Sequence, residues 1–170
     1  MDPRAAFGLS ALMSFVSASI VAGLYLWPRL RQMDRSRALT ALVMPHMFLR
    51  FLGLGFLVPG VVSPSLGSGF AMPAAYGDLG AGILAIVATV ALLKSSAGAT
   101  AAVWLFNIWG TLDLLFAFYR AGQIQLQPAA LGPTFFMVTA IVPLLLVTHA
   151  LVFLLLFRPV PVGSLLRSAS

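Results

Sequence analysis

The chain has 170 residues, 61% of them hydrophobic and only 8% charged, against about 25% charged in an average soluble domain. A water-facing surface cannot be built from this composition, so an integral membrane protein is expected. Ten basic residues against four acids give a formal charge of +6, but they stand between apolar runs, as topology signals and lipid head-group contacts do, and no nucleic-acid partner is expected.

The first apolar run, 5–27, is longer than a signal-peptide core and is followed at once by Arg29, Arg31, Arg35 and Arg37. A cleaved signal carries its charges before the apolar core, so this run is a retained span. Ser10, Ser14 and Ser17 share one face of it, which suits close helix packing. The second span, 38–60, is almost wholly apolar except for His46 and Arg50. At ~1.5 Å per residue it can cross a hydrocarbon core of ~30 Å. An arginine near its centre costs about 2.5–3.5 kcal/mol on insertion scales, so Arg50 must face a carboxylate, a carbonyl or water inside a bundle.

Residues 60–73 are rich in glycine, serine and proline and carry no charge, the pattern of a loop or a partly buried re-entrant segment. The third span, 74–93, ends at Lys94. Its Gly77, Ala81 and Ala85 repeat every four residues, as do Asp78 and Gly82, so a small-residue face carries an aspartate towards another helix. The fourth, 99–119, holds Trp104, Asn107, Trp109, Thr111 and Asp113. After Arg120 and a second uncharged loop, Pro133 opens the fifth span, 133–157, with Pro143 near its middle and His149 towards its end. Pro143 has no donor and should kink the helix, freeing a carbonyl near Thr139.

The expected fold is therefore all-α, a single five-span bundle over 1–170. Four arginines in the first connection, Lys94, and Arg158 and Arg167 in the tail face Arg4 and Arg120 on the opposite side. The positive-inside rule then places the N-terminus outside and the C-terminus in the cytoplasm of a multi-pass inner-membrane protein. Tyr76 and Tyr119 fall at the outer interface and Trp27 at the inner one.

Depths counted from the cytoplasmic helix ends separate the polar residues into two layers. His46, Asn107 and His149 come together at ~12–14 Å, and Arg50, Asp78 and Asp113 higher, at ~18–23 Å. His46 and Arg50, at i and i+4, link the layers on one face. Asn107 and Asp113 lie ~120° apart on an ideal helix, a strain on their facing one cavity that Gly110 between them can relieve by letting a neighbour close in.

One arginine with two aspartates carries a net charge of −1, or zero if one aspartate holds a proton, so a proton-titrating site is expected against the plainer alternative of a structural ion pair. The two histidines can hold a haem from both faces, relay protons or contact a ligand, or simply hydrogen-bond to a carbonyl or Asn107. Cysteine is absent, which excludes disulfides, thiolate metal sites and cysteine nucleophiles. No nucleophile elbow, phosphate loop or metalloprotease motif is present. The leading functional expectation is binding and transport of a small solute or lipophilic ligand, with Arg50, Asp78 and Asp113 as the charge or proton-coupling site and His46, Asn107 and His149 as ligand or relay contacts. The alternatives are a haem-binding redox module, an acid–base enzyme acting on a lipid-soluble substrate, and an accessory subunit of a larger complex. Membrane lipids, a lipophilic ligand and further copies of the chain are the expected partners.

Overall fold

A computed structural model describes residues 1–158; Arg167, counted above among the basic residues of the tail, lies outside them. Five helical segments are long and apolar enough to cross a membrane: α1 (Pro3–Leu30), α2 (Arg35–Leu57), α3 (Ser68–Leu93), α4 (Ala99–Gln123) and α5 (Thr134–Leu156). No strand occurs among the described residues. The membrane-spanning class follows from these segments and the composition.

Four of the five spans are shaped by prolines; α4 contains none. In α1 a π-helical turn, Ala22–Leu26, comes just before Pro28, and in α5 another, Met137–Ile141, comes just before Pro143. A proline lacks the N–H that would bond to the carbonyl four residues back, and its ring collides with that carbonyl. Widening the preceding turn by one residue absorbs both faults, and the expected kink at Pro143 takes this form, with the Val142 N–H bonding to the Met137 carbonyl. In α2, Pro45 goes further and interrupts the helix, which ends at Val43, resumes over His46–Leu49 and continues as a 3-10 helix, Arg50–Leu57. An eight-residue 3-10 run is long for a geometry seldom sustained beyond three or four residues.

Pro73 overturns the boundary expected for the third span. The stretch 60–73 is not all loop, because α3 starts at Ser68 and carries Pro73 inside it. The carbonyl that Pro73 leaves without a helical donor is that of Gly69, and Arg120 Nη2 on α4 donates to it at 3.1 Å. The partner therefore comes from another span. One consequence is that Tyr76 stands two turns inside the helix rather than near its start.

The spans pack most closely as α2 on α3 and α3 on α4, with α5 closing the group; α1 lies against α5 and buries only Ala22 and Leu30. Ser10 and Ser14 are half-buried there and Ser17 is exposed. At the arginine-rich end a continuous core of Leu39, Leu42, Val43, Leu92, Val103, Phe106, Val152 and Leu155 fills the space between helices. At the other end a second core forms around Phe56, Phe70, Ala75 and Leu131. It is covered by the two uncharged loops, which meet where the Ser63 N–H donates to the Ala130 carbonyl at 2.9 Å. Gly132, at φ +52°, turns its bare Cα onto the Val61 carbonyl, where a Cβ would collide.

Candidate functional site

Between these two cores lies the polar centre. Arg50 is fully buried, and both terminal nitrogens of its guanidinium are saturated. Nη1 donates to Asp78 Oδ1 at 2.6 Å and to Asp113 Oδ2 at 2.9 Å; Nη2 donates to the Gly110 carbonyl at 2.7 Å and to His149 Nε2 at 2.9 Å. Four spans thus converge on one side chain. The partner demanded by the cost of burying Arg50 is two aspartates, one carbonyl and one imidazole.

The hydrogen bonds fix the tautomers. A guanidinium can only donate, so His149 Nε2 accepts and its Nδ1 carries the proton, donated to Asn107 Oδ1 at 2.7 Å. Asn107 Nδ2 donates in turn to the His149 carbonyl at 3.2 Å. The Thr148 hydroxyl donates to the Leu145 carbonyl at 2.8 Å and so accepts from His46 Nε2 at 3.0 Å. This leaves His46 Nδ1 as a buried lone pair without a partner, and Arg50 Nε is likewise unpaired among the described residues.

Glycines let the helices approach closely enough to make this network. A Cβ on Gly110 would lie 2.6 Å from His149 Cε1 and 2.8 Å from Arg50 Nη2. A Cβ on Gly53 would run into the Asp78 carboxylate, and one on Gly77 into Asp113 Oδ1. Gly110 resolves the angular conflict between Asn107 and Asp113: the two reach different members of the network, Asn107 through His149 and Asp113 through Arg50.

The chain matches the family model described as a domain of unknown function, DUF8737, over residues 6–157. It belongs to that family. No curated protein and no solved structure matches it. All of the polar centre lies inside the matched region.

All six residues singled out from the sequence, Arg50, Asp78, Asp113, His46, Asn107 and His149, meet here, the two expected groups joined into one cluster. His149 bonds Arg50 directly, and the His46 and His149 rings lie 4.6 Å apart between centroids. Asp78 also stands further inside its helix than the expected bounds 74–93 would put it. With α3 beginning at Ser68, Asp78 and Asp113 are each ten residues from their helix ends on that side, ~15 Å, and so level with each other. Thr148, Gly53 and the Gly110 carbonyl escaped the sequence reading, because a threonine or glycine in an apolar run carries no signal of what lies across from it.

The histidine pair does not fit a haem. Two axial imidazoles must leave an iron and a porphyrin plane between them. Here the rings touch, Phe106 packs on both at 5.0 and 5.1 Å, and both nitrogens of His149 are committed to Arg50 and Asn107. No group of three or more metal-ligating side chains occurs among the described residues.

Two spaces adjoin the carboxylates. A cavity of about 40 Å³ lies between them and the loop-covered end, walled by Phe56, Phe70, Leu114, Phe118 and Met137. An open groove of about 570 Å³ on the outer face of α3 and α4 is lined by Pro73, Tyr76, Gly77, Trp109, Leu112, Asp113 and Phe116. Asp113 borders both.

Proposed function

We propose that the protein binds a small solute or lipophilic ligand within the membrane and moves it, with the Asp78–Arg50–Asp113 centre exchanging a proton as it does so. One observation supports this reading: a fully buried guanidinium is held by two carboxylates, at 2.6 and 2.9 Å, where one would neutralise it. The surplus negative charge is costly in a low-dielectric interior unless a proton or a cation offsets it. A structural pair has no use for the second carboxylate.

The size of the cavity supports a proton as what reaches the centre from the loop-covered end. Its 40 Å³ hold about two or three waters, enough to conduct a proton and too little for an organic ligand. On the far side Leu42, Val43, Val103, Phe106 and Val152 pack into one apolar core. This arrangement supports proton access from the loop-covered end, the outward side by the distribution of basic residues.

Infrared difference spectroscopy tests this cleanly because the chain has four aspartates and no glutamate. On acidification the purified protein should develop a buried protonated-carboxyl band that is absent from Asp78→Asn or Asp113→Asn. A wild-type spectrum without such a band at any pH at which the fold survives would refute the proton-exchanging centre.

A further inference from the structure

The groove on α3 and α4 differs from an ordinary lipid-facing surface in having a carboxylate in its wall. Asp113 gives one oxygen, Oδ2, to Arg50. The other, Oδ1, lies against the bare Cα of Gly77, itself a groove residue. Around it stand three aromatic side chains that are half exposed, Tyr76 at 55%, Trp109 at 47% and Phe116 at 50%. The Trp109 indole is tethered by its N–H to the Gly77 carbonyl at 3.2 Å, so it is held beside the carboxylate. A negatively charged group flanked by aromatic rings is the arrangement that recognises an organic ammonium ion, through charge and cation–π attraction.

We infer that this groove is a lateral binding site for a lipophilic ammonium ion, an alkylamine or quaternary ammonium on a single apolar chain, entering from the bilayer with its cationic head on Asp113. The inference rests on the proposed function above and names its ligand class and route. Charge complementarity selects the head: with both aspartates ionised the Arg50 cluster has one negative charge in excess, and the groove meets it at the oxygen Arg50 leaves free. Size selects the groove over the interior, since 570 Å³ admits an organic chain and 40 Å³ does not. Depth selects the class. Asp113 is ten residues, ~15 Å, from its helix end. A phospholipid head group reaching it would drag a phosphate into hydrocarbon, whereas a cation without a phosphate is neutralised where it arrives. Protonation of Asp113 would remove the attraction, which couples release of the cation to uptake of a proton.

The test uses the full chain in phosphatidylcholine nanodiscs and a trimethylammonium probe with a brominated dodecyl chain, whose bromine quenches tryptophan on contact. The control probe replaces the nitrogen by carbon and is neutral. Wild type should show saturable quenching by the cation, at least ten-fold tighter than by the neutral isostere, and the effect should vanish in Trp109→Phe. Affinity should fall at least ten-fold in Asp113→Asn and also in Tyr76→Leu/Phe116→Leu, a variant that leaves the buried network untouched. Equal quenching by both probes would overturn the inference, leaving a groove that lipid tails fill. Cation selectivity that survives Tyr76→Leu/Phe116→Leu unchanged would overturn the lateral route. Displacement of the probe by a soluble short-chain phosphatidylcholine would assign the groove to lipid head groups and overturn the ligand class. Any of these with the infrared band intact would leave the proton-exchanging centre standing, whereas loss of the band alone would remove that centre and not cation binding.

Discussion

At the scale of residues, Arg50 is the side chain on which the interior depends, because removing it leaves two largely buried carboxylates without their cation. Arg50→Ala should therefore cost about 3–5 kcal/mol, read as a large fall in thermal or denaturant midpoint in mild detergent. Asp113→Asn should cost less, since Asp78 still holds the guanidinium at 2.6 Å. The double variant should cost less than the sum of the two, as groups in one network do; strict additivity would show that the pair is not coupled. Gly110→Ala tests the close approach. Its Cβ would press on both His149 and Arg50, and a loss of about 1–3 kcal/mol is expected for such overpacking. Of these residues the sequence exposes the polar ones, because an ionisable group in an apolar run stands out, and marks Gly110 as a place of close approach without showing that His149 and Arg50 are what it admits.

At the scale of elements, prolines set where α1 and α5 widen and where α2 breaks, and α3 shows a proline offset from outside its own helix. Arg120→Met should lower stability by about 0.5–1.5 kcal/mol, by taking the donor from the Gly69 carbonyl. In a Pro73→Ala background the restored N–H of residue 73 can serve that carbonyl, and the Arg120→Met penalty should shrink. An equal penalty in both backgrounds would mean that Arg120 acts through something other than Gly69. This also explains the misplaced start of α3. Proline argues locally for a boundary, and the argument fails when a guanidinium 51 positions away supplies what the proline removes.

At the scale of the whole molecule, the two ends are unlike: one carries most of the basic residues, the other the uncharged loops over the small cavity. Since the chain has no cysteine, single substitutions report orientation without background. Ser65→Cys in the first uncharged loop should react with a membrane-impermeant maleimide on intact cells, and Ala97→Cys between α3 and α4 only after lysis. The reverse pattern would invert the side from which protons reach Asp78 and Asp113.

The class, the five apolar segments and the six polar residues could be read along the chain, because hydropathy, span length and a charge in an apolar run are properties of single segments. Only the tertiary structure decided that both aspartates hold the same guanidinium, that His149 joins them rather than facing a haem, and that Asp113 borders a groove as well as a cavity. Depth along a helix follows from counting residues; which helix stands beside which, and how near, follows from packing across glycines that no single segment encodes.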